Sequence, residues 1–422
     1  MTKISTLALN GGRPVIESPL PPYNTIGIEE ERAVTRVMRS GVLSAFYGSI
    51  GDNFLGGPEV KCFEAAWAGY FGVRHAVSMN SATSGLIAAV QALGLGPGDE
   101  MIVPPFTMIA SATAATLNGA TPVFVDIRSD IYTLDIAAVE QAITPRTKAI
   151  MAVNLFGQTA DLDELIALAH PRGIRVIEDN AQGPGALYRG RQAGTIADIG
   201  IFSLNCHKTI QTGEGGVACT NDDDLALKLQ LIRNHGEAVV RELGYRHAPE
   251  RIAGFNFRLG EIEAAIGGEQ LKKLDALTRP RQRIAAFYAE RLSHLPGLIV
   301  PKVEGDRSHV YYVHALKLDS EVAGFSRRAL VRALSAEGME CFEGYCRPLY
   351  LEPLFAADPR NRPGLCPVTE RLHQSELFFH PWLYEAIEPQ AELIVRAFEK
   401  IWDNVAALAT IDDDGQRAVR RR

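Results

Sequence analysis

The sequence predicts an α/β fold: a mostly parallel sheet with helices on both faces, joined to a smaller C-terminal α/β unit. Three observations carry this. Seven short apolar runs, at 76–79, 101–104, 122–126, 149–154, 175–178, 199–204 and 217–220, read as strands, and helical patterns at 85–93, 110–117, 135–142 and 161–170 fall between them. The runs are almost continuously apolar rather than alternating, as strands covered on both faces are. The chain of 422 residues exceeds what one core organises, and its composition changes after Pro280.

Taken in order, residues 1–28 are punctuated by Gly11-Gly12-Arg13-Pro14, Pro19, Pro21 and Pro22 and read as an arm rather than a domain. The large domain is expected over 29–280. It opens with a helix at 29–38, acidic in its first turn. A loop at 40–58 follows, holding Gly41, Gly48, Gly51, Gly56 and Gly57; one so long in a compact enzyme is usually functional or meets a partner subunit. A helix at 60–70 places Phe63, Ala66, Trp67 and Tyr70 on one face. After the strands come amphipathic helical patterns at 222–235 and 258–291, the second with a break expected at Arg279-Pro280. Residues 281–410 form the expected small domain, with helices at 281–295, 326–337 and 388–408 and a strand at 310–318. The polar stretch 411–422 reads as a disordered tail.

Whole-chain properties exclude several function classes. With 46% hydrophobic and 22% charged residues the chain is globular, and a net charge of −7 argues against nucleic-acid or anionic-membrane partners. No apolar run approaches the roughly 20 residues of a membrane span. The start, Met1-Thr2-Lys3-Ile4-Ser5, lacks a signal-peptide core, so a cytoplasmic location is expected. The six cysteines form no CxxC pair and read as reduced thiols rather than a disulfide framework or metal site.

The chemistry concentrates in residues 202–216, F-S-L-N-C-H-K-T-I-Q-T-G-E-G-G. An apolar strand runs into a bend carrying Lys208 and closes on a glycine turn, which sets an amine at a strand end, where α/β sheets bind ligands. Alone, such a lysine is most often a solvated surface charge. Two other stretches change that reading. The strand at 174–178 ends in acid at Asp179, followed by Asn180-Ala181-Gln182-Gly183. The hydroxyl-rich turn Ser81-Ala82-Thr83-Ser84-Gly85 opens a helix. A lysine for an aldimine, a carboxylate for a pyridinium nitrogen and a phosphate cup at a helix N-terminus together describe a pyridoxal 5'-phosphate (PLP) site.

Four segments then carry a resemblance: the 202–216 stretch, E-D-N-A-Q-G-P-G-A at 178–186, G-P-G-D-E-M-I-V-P-P-F-T at 96–107 and G-F-N-F-R-L-G-E-I-E-A-A at 254–265. In this order the sequence resembles the DegT/DnrJ/StrS family of PLP-dependent aminotransferases, from about residue 29 to 408. The opening L-A-L-N-G-G-R-P-V at 7–15 is similar to the aminocyclitol and aminobenzoate-forming branch. The resemblance implies the aspartate-aminotransferase (type I) fold and a homodimer with shared active sites. It implies that Lys208 holds the cofactor and shuttles protons, that Asp179 pairs with the pyridine nitrogen, and that Gln182 faces the phenolic oxygen. Thr83, Ser84 and Ser203 would bind the phosphate, with Asn256 reaching it from the other subunit. Met108 stands where many relatives carry an aromatic that stacks on the ring; Phe106 is the alternative cover or a core residue. The implied reaction moves an amino group from glutamate or glutamine to a nucleotide-linked keto sugar or a cyclitol ketone. The alternatives are a PLP-dependent sugar dehydratase of the same fold, in which histidine replaces the lysine, and a non-catalytic regulatory homologue.

Overall fold

The structure is a computed structural model that describes residues 6–48, 51–236, 252–381 and 387–408; the expected tail at 411–422 lies outside the described residues. The seven expected strands all appear in one sheet. They are β1 (His75–Met79), β2 (Glu100–Val103), β3 (Thr121–Phe124), β4 (Thr147–Val153), β5 (Arg175–Asp179), β8 (Ile199–Ser203) and β9 (Gly216–Thr220); a side hairpin supplies β6 (Leu187–Tyr188) and β7 (Arg191–Gln192). The sheet order is β1-β9-β8-β5-β4-β2-β3. Only β9 runs against its neighbours; the other pairings are parallel. Every residue of β2, β8 and β9 is buried, the reason these strands read as unbroken apolar runs. Gly200 interrupts β8 because a Cβ there would lie 1.8 Å from the Gly194 carbonyl oxygen.

Helices α2 (Pro58–Phe71), α3 (Ala82–Ala92), α4 (Ala110–Leu117), α5 (Ile136–Ala142), α6 (Leu162–Ala169) and α7 (Asp223–Arg233) cover the sheet, while α1 (Ile28–Ser40) packs Ala33 and Val37 on Ala265 of the long helix Glu261–Leu292. One cluster joins α2 residues Phe63, Trp67 and Phe71 to Phe202 and Val217 of the sheet. Another joins Leu162 and Leu165 of α6 to Ile150 and Val176. Because β1, β5 and β8 point the same way, their C-terminal ends share one edge, and every candidate strand-end residue lies there.

The second core gathers around a four-stranded antiparallel sheet of β12 (Leu298–Ile299), β13 (Val313–Leu318), β14 (Phe342–Glu343) and β15 (Leu377–Pro381). Strands β10 (Asn234–Gly236) and β11 (Ala253–Asn256) pair separately. Leu7 and Ile16 of the N-terminal arm are buried in this second core. The arm is held by Glu337, whose carboxylate accepts from the N–H of Ala8 at 2.9 Å and of Val15 at 3.0 Å.

One expectation fails here. The break at Arg279-Pro280 is absent: α8 (Glu261–Leu292) runs straight through Pro280. Its first half packs Ala264, Leu271 and Leu274 on the α2 cluster, and its second half packs Ile284, Tyr288 and Leu292 into the second core. An interior proline costs about 3 kcal/mol, whereas each fully buried large apolar side chain contributes about 1.5–3 kcal/mol. Five such side chains outweigh one proline, so the helix continues. Two further helices, α9 (Arg327–Ala336) and α10 (Glu388–Trp402), complete the second core. Among the described residues no helix is long and apolar enough to cross a membrane.

Candidate active site

A cavity of about 350 Å³ opens at the shared C-terminal edge of β5 and β8. Thr83, Met108, Asp179, Gln182, Ser203 and Lys208 all line it. The chain reaches Lys208 through a tight bend, closed by the Lys208 N–H to the Asn205 carbonyl at 2.9 Å. Burial pulls the Lys208 amine down to about 8, opposed by the negative charge of Asp179. The ammonium lies 4.3 Å from the centre of the Tyr312 ring.

Strand alternation separates the two acids of Glu178-Asp179. Glu178 turns away from the cavity, accepting from the N–H of Gly194 at 2.6 Å and of Ile196 at 3.3 Å, and has a structural role. Asp179 turns in. It is 5% exposed, and burial raises its pKa above the ordinary carboxyl value, against hydrogen bonds from Ser111 and Ala181 and the charge of Lys208. Its two oxygens accept from Ser111 Oγ at 2.8 Å and the Ala181 N–H at 3.1 Å, and Thr107 Oγ1 lies 3.2 Å from Ser111 Oγ. Among the described residues neither Asp179 nor Lys208 has an ion-pair partner at contact distance.

The third part is an anion cup. Ser81 caps α3, accepting from the Ser84 N–H at 3.0 Å, so the N–H groups at the start of this eleven-residue helix face the cavity with the helix dipole behind them. Ser203 stands opposite, at the end of β8. The glycine turn is needed here: a Cβ on Gly216 would sit 2.5 Å from the Ala82 nitrogen and 2.7 Å from the Ser81 oxygen. Ser84 itself is outside the lining. Its hydroxyl is 2.6 Å from Asn80 Oδ1 and 2.9 Å from Ser81 Oγ, so it shapes the cup from behind.

Met108 lies at the mouth, 56% exposed, its sulfur accepting from the Ala110 N–H at 3.1 Å. Phe106 is fully buried against Phe156 and Tyr345 and is a core residue. Asn256 is not part of this cavity: it is exposed at the end of β11 and its Oδ1 accepts from Arg258 Nε at 2.8 Å. Its neighbour Phe257 does approach the cup, accepting from the Asn80 N–H at 2.9 Å. His207 is exposed.

A sequence model of the DegT/DnrJ/EryC1/StrS aminotransferase family matches residues 27–397. The chain belongs to this aminotransferase family. It is 41% identical over 295 residues to a GDP-perosamine synthase of Caulobacter vibrioides, covering 70% of this chain and 78% of that protein. It is 36% identical over 372 residues to a dTDP-3-amino-3,4,6-trideoxy-alpha-D-glucose transaminase of Streptomyces venezuelae, covering 88% and 90%. The structure superimposes with a TM-score of 0.79 on Streptomyces venezuelae DesV, solved in complex with a ketimine intermediate, at 34% identity over 92% of this chain and 99% of DesV.

Within this aminotransferase three residues of the site escaped the sequence. Ser111 had a faint signal, since it lies one helical turn after Thr107 in the same hydroxyl-bearing segment. Tyr312 and Tyr345 had none, because only the docking of the second core brings them to the cavity.

Proposed function

We propose that this aminotransferase uses PLP to move an amino group from glutamate or glutamine to the keto carbon of a nucleotide-linked sugar. One observation supports this most: a buried carboxylate, Asp179, and a partly buried amine, Lys208, face one cavity, and among the described residues neither has an ion-pair partner at contact distance. Burying both uncompensated would be costly, and a ligand bringing a cation to the acid and a carbonyl to the amine relieves both. The donor set fits PLP, whose phosphate matches the cup of Thr83, Ser203 and the α3 N-terminus, with Ser84 supporting the turn.

The bound cofactor supplies an electron sink and a carrier for the amino group. The protein's residues do the rest. Asp179 holds a proton on the ring nitrogen, and Ser111 keeps its carboxylate aimed. Lys208, its pKa lowered to about 8 by burial, gains and releases protons at the reacting carbon. Met108 lies against the open side of the cavity as a polarizable cover. Glutamate or glutamine and the keto sugar take turns in the same space, so the reaction runs in two halves.

Asn256 serves the cavity of a second copy in this reading. It is exposed beside Phe255, which is 43% exposed, and near the loop that exposes Leu43 and Tyr47. The Leu43 carbonyl accepts from the Glu261 N–H and the Tyr47 carbonyl from Nδ2 of Asn234, the residue paired with Asn256, so these exposed apolar side chains belong to segments beside the Asn256 strand, and a two-fold contact there would cover them. The sugar substrate is carried over from the nucleotide-sugar names of the relatives. The test is amine transfer from glutamate and glutamine to UDP-, GDP- and dTDP-linked keto sugars and to cyclitol ketones, with borohydride reduction and peptide mapping. Pyridoxyl label on Lys208 with turnover of a nucleotide-linked sugar supports the proposal. Label elsewhere, or turnover of cyclitols alone, overturns it.

A further inference from the structure

The orientation of Gln182 is set by chemistry rather than by choice of rotamer. The Phe156 N–H can only donate, so the Gln182 atom 2.7 Å from it is the amide oxygen. The amide nitrogen therefore faces the other way, 2.9 Å from the Tyr345 hydroxyl. An amide nitrogen carries two hydrogens. Tyr345 takes one, which leaves the other for the cavity that Gln182 lines.

The anchor at each end is built rigidly. Phe156 is a non-glycine residue at φ 60°, a conformation that persists only where the surroundings enforce it. Its ring is edge-on to Tyr132 at 5.3 Å and to Tyr345 at 5.1 Å, and its carbonyl accepts from the Tyr312 N–H at 2.9 Å. Tyr345 follows β14 of the second sheet, yet its ring packs on Phe106 and Phe156 in the core of the large sheet. Burial raises the Tyr345 pKa, so its phenol stays protonated and uncharged across the working range.

We propose that Tyr345 is a positioning residue for the transfer reaction: the Phe156 N–H sets which end of the Gln182 carboxamide is oxygen, and the Tyr345 hydroxyl holds the amide nitrogen in place so that its free N–H meets the ring oxygen of the bound cofactor. The inference rests on the PLP reading of the cavity. A donor there stabilises the anionic oxygen, which lowers the pH at which the lysine-bound chromophore loses its proton. The phenylalanine variant keeps the ring and its packing and removes one oxygen. Among the described residues the other titratable groups at the cavity are Asp179, Glu214 and Lys208 in its lining, Tyr312 against Lys208, and Cys346, which follows Tyr345 and donates to the Thr107 carbonyl. All are retained in the variant, so a shift reports on the amide.

The experiment is a pH titration of the visible absorption of the PLP-loaded protein, with thermal unfolding measured alongside. Tyr345→Phe is expected to raise the spectral midpoint by about half a unit to one unit, the scale of one weakened hydrogen bond. Gln182→Leu should raise it at least as far, and the double variant no further than Gln182→Leu alone. An unmoved midpoint in Tyr345→Phe, with or without lost thermal stability, makes the residue purely structural and overturns the proposal. Additive shifts in the double variant also overturn it, since Tyr345 would then act without Gln182. A wild-type protein that gains no visible band with PLP refutes the function itself and this inference with it. A normal band with an unmoved midpoint refutes only the inference.

Discussion

Replacing Asp179 by asparagine should weaken cofactor binding and at the same time stabilise the cofactor-free protein. The two effects have one origin. Burial raises the folded-state pKa of Asp179, so folding binds a proton more readily than the unfolded chain does in that window. Stability therefore falls as pH rises from the unfolded carboxyl value through the raised folded-state one, and at neutral pH the buried acid is a net cost whether it is charged or holds its proton. Each unit of that shift corresponds to about 1.4 kcal/mol. Asparagine removes the charge without stranding its neighbours. Its Oδ1 can keep the Ala181 N–H, and its amide can donate to Ser111 Oγ once the Ser111 hydroxyl turns toward Thr107 Oγ1, 3.2 Å away. Asparagine cannot hold a proton on a pyridine nitrogen. Losing one charge-assisted hydrogen bond of about 1.5–3 kcal/mol predicts PLP affinity lower by about 10- to 150-fold, with a larger loss in turnover because the ring stops withdrawing electrons. The assays are differential scanning calorimetry of the cofactor-free protein at pH 7 and at pH 4, and PLP titration followed by absorbance. The variant should melt higher than wild type at pH 7, with the gap closing at pH 4. A lower melting point at pH 7, or wild-type affinity for PLP, would refute the reasoning.

Three further outcomes are expected. In the cofactor-free protein, labelling of Lys208 by an amine reagent should follow a single ionisation at about 8, well below ordinary lysines; a midpoint near the usual lysine value would contradict the burial assigned to it. If two copies share each site, mixing inactive Lys208→Ala and inactive Asn256→Ala chains under free exchange should restore about a quarter of wild-type activity, because half the dimers then hold one intact site; zero activity after proven exchange counts against sharing. Glu337→Gln takes from Lys400 its charged partner at 2.8 Å in a buried setting, leaving only the Arg13 carbonyl at 2.7 Å, and weakens the hold on the arm, so unfolding in urea should show a loss of about 3–5 kcal/mol; an unchanged midpoint would show that the pair contributes nothing.

The large sheet was legible in the sequence, and so was the set of residues that line the candidate cavity. Strands buried on both faces must be apolar throughout, so their positions are visible locally, and β5, β8 and the start of α3 deliver Asp179, Ser203, Lys208 and Thr83 within a few residues of a strand or helix end. Local signals of this kind survive folding because backbone geometry alone fixes which way a strand end points. The rest depended on how the cores pack. Pro280 reads as a helix stop, yet packing on two cores holds α8 continuous across it. Ser84 and Thr83 are adjacent hydroxyls that look alike in sequence, and the cap at Ser81 turns one behind the cup while the other lines it. Phe106 and Met108 are two residues apart, and burial against Phe156 and Tyr345 takes the aromatic into the core and leaves the thioether at the mouth. Tyr312 and Tyr345 reach Lys208 and Gln182 from the other end of the chain. Such contacts arise from the docking of one hydrophobic core on another, and no local pattern of residues encodes that.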